Sequence, residues 1–396
     1  MFDLLYHSFE DYKEPTITKR YFSLQVWNEL IQKWQKSEEL TVQEIGRTFL
    51  GEPIHSVSWG KGPIKVAAWS QMHGNEATAT MALTDLYNFL TKLKEQDSTL
   101  WETLYHNISF HCIPFLNKDG AQKWQRETAL GIDMNRDAKT QFSPEAKLLS
   151  NWVDQINPLF AFNLHDQHRL YSAGNSPYQT KIALLATAEN EENTYSASRL
   201  RAAQLANYLT KKLTPHLGNH LAKWSDEYEP RAFGDTFQER GYGLILFEAG
   251  GLPFDLEKQY LRKLTACMLL ESLHVIATGN WKNESTGNYL ALPTNEKKIA
   301  DIKISKCPLT PDGMLRADII FNIKETLIEN EIHFSWILED IGDLSHLHGL
   351  TEINGEKLSL VGGVLPEKEK EYHDFLLSDG QSISFDLSTF TNKINK

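Results

Sequence analysis

Up to about residue 285 the chain alternates short apolar runs of strand length with long segments whose apolar residues recur at helical spacing. Residues 47–59, RTFLGEPIHSVSW, predict two strands around a turn at Gly51-Glu52-Pro53. IKVAAWS at 64–70 suits a buried strand, and the residues after His73-Gly-Asn-Glu76 open an amphipathic helix. NISFHCIPFL at 107–116 is another strand, ended by the turn signal NKDG. Ser143 before Pro144 and Glu145 predicts an N-cap with proline in the first turn, and a helix to about 156. LFAFNL (159–164) and YGLILFEAGG (242–251) read as buried strands. YSASRLRAAQLANYLTKKL (195–213) and the segment from Phe254 to about Gly279 read as helices. Strands alternating with long helices predict an α/β fold: a mixed, largely parallel sheet with helices on both faces.

The texture changes beyond 285. IADIKIS, LRADIIFNIKE, EIHFSWILED, KLSLVGG and SISFDLS are short alternating runs separated by turn residues. They predict a small β-rich C-terminal domain over 286–396, with a boundary between 279 and 295. Residues 1–285, including an N-terminal extension over 1–43, form the other domain.

Composition narrows the function classes. A formal net charge of −12 gives no basic footprint for nucleic acid. No basic segment followed by an apolar run marks a signal peptide, and no stretch has spanning length, so the expected location is cytoplasmic with no membrane partner. Cys112, Cys267 and Cys307, odd in number and far apart, fit buried reduced thiols.

Four polar clusters directly follow apolar strands: His73 to Glu76, Asn135-Arg136, His165-Asp166 and Glu248. In open α/β sheets ligands bind beyond the carboxyl ends of the strands, so these groups can converge on one site. His73 and Glu76, three apart, fall on one side of a helical turn. An imidazole, a carboxylate and a third ligand suit Zn²⁺ with one position left for water. Glu248 ends a buried strand, where a carboxylate is costly unless solvated, paired or functional.

The series His73-Gly-Asn-Glu76, Asn117-Lys-Asp-Gly120, Arg126, Gly131-Ile-Asp-Met-Asn-Arg136, His165 and Phe247-Glu248-Ala-Gly resembles, in type and order, the zinc carboxypeptidase family, peptidase family M14. The resemblance covers roughly 45–280. It implies one Zn²⁺ per chain on His73, Glu76 and His165, with Glu248 as general base and acid. It further implies Arg126 on the scissile carbonyl, Asn135 and Arg136 on a substrate carboxylate, and Asp133 orienting a zinc-bound histidine. The implied activity is removal of the C-terminal residue from a free-acid peptide. Deacylation of N-acyl amino acids, as in the aspartoacylase and succinylglutamate desuccinylase relatives, and non-catalytic binding on the same fold stay open. Oligomeric state and side-chain preference are not readable.

There are departures from the family pattern. The family's mobile tyrosine has Tyr228 as its nearest counterpart, ahead of Tyr242. Lys118 stands where the family often has proline. Asp166 reads either as a support for the metal site or as a loop acid. Residues 231–238 are expected to form a specificity-pocket wall, with Phe233 a core aromatic.

Overall fold

The computed structural model describes residues 1–253, 255–310, 312–356 and 367–372, and the backbone of 374–376 and 382–384. In chain order the helices are α1 (Phe2–Ser8), α2 (Leu24–Gln35), α3 (Thr78–Gln96), α4 (Ser98–Tyr105), α5 (Lys118–Gln122), α6 (Pro144–Ile156), α7 (Ala197–Leu217), α8 (Phe233–Glu239), α9 (Gln259–Thr278) and α10 (Gly287–Leu290). The strands preceding α9 are β1 (Thr41–Arg47), β2 (Pro53–Trp59), β3 (Ile64–Ser70), β4 (Ile108–Ile113), β5 (Phe160–Asp166), β6 (Ser172–Ala173), β7 (Ile182–Ala186), β8 (Leu221–Lys223) and β9 (Gly243–Ala249). After it come β10 (Asn295–Glu296), β11 (Ile299–Pro308), β12 (Arg316–Ile328), β13 (Glu331–Gly342), β14 (His348–Asn354), β15 (Glu371–Tyr372), β16 (Asp374–Leu376) and β17 (Ser382–Ser384).

Eight strands form one mixed sheet in the order β1-β2-β4-β3-β5-β9-β7-β8. Its centre, β4-β3-β5-β9, is parallel, and β2 and β7 join that centre antiparallel. Side chains alternate between two cores, as pleating dictates. Val66, Ala68, Phe160 and Phe162 pack against α3, α7 and α9. Ala67, Trp69, Ala161 and Leu244 pack against α6 and α8. Both faces of the central strands are therefore covered, which is why those strands read as unbroken apolar runs. The chain leaves β3 for β4 on one side and then crosses to β5 on the other. A crevice opens at their carboxyl ends, the place where α/β sheets bind ligands.

The predicted strand at 64–70 and the helix from Pro144 match β3 and α6. Ser143 Oγ accepts the Ala146 N–H as expected of an N-cap. The helix expected from Phe254 starts instead at Gln259. Lys258 adopts a left-handed conformation (φ 51°), and the Asp255 carboxylate takes the free amides of Gln259, Tyr260 and Leu261. Strands β7 and β8 and helix α4 were not read from the sequence. All three cysteines are buried and unpaired. Among the described residues, no helix is long and apolar enough to cross a membrane.

A second, five-stranded sheet follows in the order β14-β11-β12-β13-β15, with its own small core around Ile302, Phe321 and Leu338. The predicted run KLSLVGG lies outside the described residues. This sheet is tied to the first part of the chain by pairing of β10 with β6 and by the ion pairs Arg169–Asp301 and Arg20–Glu325 (2.7 Å).

Candidate active site

His165 is the penultimate residue of β5 and Glu248 of β9, and they are direct partners across the two strands. Both therefore project on the face that carries Ala161 and Leu244, toward α6 and α8. His73 and Glu76 lie on the turn from β3 into α3, closed by the Glu76 N–H to His73 C=O bond of 3.1 Å. The Glu76 carboxylate bridges two imidazoles: Oε1 is 2.7 Å from His73 Nδ1, and Oε2 is 2.8 Å from His165 Nδ1. These three donors lie within 4.8 Å of one another and all three residues are buried.

The turn is held by backbone proximity. Gly74 packs so closely on the segment after β4 that a Cβ would sit 2.2 Å from the Gly120 carbonyl carbon and 2.3 Å from the Ala121 nitrogen. Asn117 caps α5 by accepting the Gly120 N–H, and its amide donates to the Met72 and Glu127 carbonyls. The NKDG signal is thus a bracket joining the His73 turn to the loop that carries Arg126. Lys118, in the family's proline position, is fully buried with its ammonium on the Pro53 carbonyl, and burial pushes its pKa down to about 8. Asp133 Oδ1 accepts from His73 Nε2 at 3.0 Å and Oδ2 from Arg126 Nε at 3.1 Å. Contact of Nε2 with the Asp133 carboxylate leaves Nδ1, which faces Glu76, as the nitrogen His73 would offer a metal. Arg126 places Nη1 3.2 Å from Glu76 Oε1.

A cavity of about 390 Å³ opens beside these donors and is also lined by Arg126, Asn135, Arg136 and Glu248. Asn135 Oδ1 accepts the Phe233 N–H (3.0 Å), so the donors of its amide are what it has to offer a ligand. Arg136 donates from Nη1 to the Asn135 carbonyl (2.8 Å), lies 3.3 Å from Glu229, and is nearly half exposed. Phe233 is fully enclosed in the second core and faces no ligand. The structure does not bring Tyr228 to this cavity: its hydroxyl reaches Glu239 at 3.3 Å on the surface. Tyr242 bonds Asp154 instead. Tyr171, Trp224 and Asp235 line the cavity without having been singled out. Of these only Asp235 carried a signal, since it falls in the expected wall segment 231–238.

Burial, then the neighbouring Glu76 and Asp166, push the Glu248 carboxyl well above the usual range, against the pull of Lys258 and Arg126. One of its oxygens, Oε2, is enclosed with no hydrogen-bond partner among the described residues. Asp166 is buried rather than solvent-facing: it accepts from Thr78 Oγ1 at 2.6 Å and lies 3.3 Å from the Lys258 ammonium. Lys258 also donates to the Gln167 and Ala249 carbonyls. Burial raises the Asp235 pKa to about 7.

Two imidazole nitrogens and a carboxylate, all buried and converging, are a donor set that would suit a Zn²⁺ ion. The family model for zinc carboxypeptidases matches residues 27–229, a span holding His73, Glu76, Arg126, Asn135, Arg136 and His165 but not Glu248. Human carboxypeptidase D is 23% identical over 217 residues, covering 48% of this chain and 15% of that protein. Carboxypeptidase SOL1 of Arabidopsis thaliana is 26% identical over 137 residues, 31% of this chain and 28% of that one. The chain thus matches under a third of either relative's length. In fold it is similar to a metallo-carboxypeptidase from Burkholderia cenocepacia (TM-score 0.54, 17% identity, 66% of this chain and 70% of that one). It is also similar to bovine thrombin-activatable fibrinolysis inhibitor bound to tick carboxypeptidase inhibitor (TM-score 0.52, 16% identity, 69% and 99%). With the family model spanning half its length and its fold shared with these enzymes, the chain belongs to the zinc carboxypeptidase family.

Proposed function

We propose that the protein is a zinc metallocarboxypeptidase that hydrolyses the C-terminal peptide bond of a free-acid peptide. The observation that carries the reading is that one cavity gathers the His73–Glu76–His165 donors, the carboxylate Glu248 and the cations Arg126 and Arg136. Bound Zn²⁺ would supply Lewis acidity and a water whose pKa is lowered toward about 7. The chain's own groups would do the rest. Arg136 and the Asn135 amide bind the substrate's terminal carboxylate, a planar anion that matches the guanidinium fork. Arg126 donates to the carbonyl oxygen as it gains charge. Glu248 takes a proton from the attacking water as the new C–O bond forms. It returns the proton to the nitrogen as the C–N bond breaks, so the nitrogen leaves as a neutral amine. The environment that raises its pKa makes it a stronger base than an exposed carboxylate.

The test is a substrate panel on metal-analysed protein. Free-acid peptides are cut, and their amidated counterparts are cut at least about tenfold more slowly. Arg136→Ala raises KM for the free acid by about 10- to 100-fold and abolishes the preference. Equal cleavage of both forms by the unmodified protein removes the clamp. Cleavage confined to N-acyl amino acids assigns the deacylase activity instead.

A further inference from the structure

The clamp cavity is only half of the cleft. A second cavity, of about 450 Å³, shares Glu76, Arg126, Asp166, Gln167 and His168 with it and extends from the His73–Glu76–His165 cluster the other way. Its far wall comes from the C-terminal sheet: Asn322 to Glu325 on β12, and Ile337 and Glu339 on β13. That wall is anchored. Arg169, four residues past His165 and buried, pairs with buried Asp301 on β11, and Asp301 in turn accepts the Ile323 N–H at 2.8 Å. On the other flank Arg20 pairs with Glu325, Lys19 with Glu331 at 3.0 Å, and Tyr21 with Asn330 at 3.1 Å. Separating the buried Arg169–Asp301 pair would strand an uncompensated charge, so the wall is a fixed surface rather than a lid.

We infer that this second cavity receives the part of the substrate on the acyl side of the cut bond, and that the C-terminal sheet limits that part to a short peptide. The inference rests on the orientation proposed above, with the terminal carboxylate at Asn135 and Arg136. If the leaving residue fills the first cavity, the residues before the bond must enter the second. An extended chain advances about 3.3–3.6 Å per residue, so a few residues bring it against β12 and β13. A cavity of this volume is of small-ligand size. Its lining favours a peptide over a fatty acyl chain. Apolar contact is confined to Leu256, Ile323 and Ile337, and the buried cations Arg20, Arg169 and Lys258 are each balanced by an acid. The substrate class is therefore short free-acid peptides, and the C-termini of long or folded chains are excluded.

The experiment measures binding to zinc-loaded Glu248→Gln protein by calorimetry, using a blocked tripeptide and a blocked decapeptide with the same C-terminal residues. The tripeptide is expected to bind at least tenfold more tightly. Glu339→Trp, at an exposed wall position, should weaken tripeptide binding about tenfold and leave an N-acetyl amino acid unaffected. Equal affinities for the two peptides, no binding of the tripeptide, or no effect of Glu339→Trp overturns the inference. Turnover by the unmodified protein is scored separately. If no free-acid substrate is cut while the affinity ratio persists, the peptidase reading falls and the length limit stands. Normal turnover with equal affinities does the reverse.

Discussion

The two large sheets are built on different plans. In the eight-stranded sheet every residue of β5 and β9 is buried, and apart from Asn163 at the centre of β5 the polar groups sit at the strand ends. In the five-stranded sheet β12 and β14 alternate or stay half exposed, and polar residues are spread along their length. A strand with both faces covered cannot hold a lone carboxylate at low cost, so polar side chains concentrate where it emerges. That is where His165 and Glu248 sit side by side. A strand with one wet face has no such place, and among the described residues the C-terminal sheet accordingly offers surfaces rather than a cluster of converging donors.

Four substitutions test this contrast, in decreasing order of effect. Glu248→Gln is expected to lower kcat by about 10²- to 10⁴-fold while retaining zinc, read by steady-state assay beside metal analysis. Retained turnover would take the base out of the main sheet's strand ends. Ile302→Ala, in the core of the other sheet, should lower unfolding free energy by about 2–5 kcal/mol in a denaturant titration and leave zinc affinity unchanged. A coupled loss of zinc would show that the two sheets are not separable in this way. Asp133→Asn should weaken zinc binding by about 10- to 100-fold in a competition with a chelator, because His73 loses the carboxylate that orients it.

The smallest effect concerns pH. Asp235 has a pKa near 7 in the fold, raised by burial, against about 3.9 in an unfolded chain. The folded protein therefore holds the extra proton, and this contribution to stability, full below about pH 4, is lost as pH rises through about 7. Asp235→Asn should remove that slope, seen as a flatter dependence of the denaturation midpoint between those limits. An unchanged slope would show that Asp235 is not the group responsible.

The sequence carried those features that depend on neighbours along the chain. The run 64–70, the Ser143–Pro144 start and the order of the HGNE, NKDG and GIDMNR signals all belong to this kind. What it withheld depends on contacts between distant segments. Three-residue β8 has no pattern of its own, and β7 is a strand because it pairs with β9. The start of α9 is set by an unusual Lys258 backbone that no propensity suggests. The same limit applied to the cleft. Tyr228 was chosen by its place in the order of motifs, but the fold directs its hydroxyl to Glu239 and sets Tyr171 at the cavity. The pairing of Arg169 with Asp301 spans 132 positions and left no trace in either local pattern.

The contact of Gly74 with the Gly120 backbone carries an evolutionary consequence. A methyl group at 74 would meet main-chain atoms, which cannot turn aside as a side chain can, and a methyl at 120 would meet the Glu127 carbonyl oxygen at 2.4 Å. Gly74 cannot be exchanged while the Gly120 loop stays in place, and Gly120 cannot be exchanged while its own loop keeps Glu127 where it is. The turn bearing His73 and Glu76 and the loop bearing Arg126 are therefore coupled through Gly74 and inherited as one unit. A lineage can rework the cavity walls residue by residue, but it can remodel this junction only by changing both loops together.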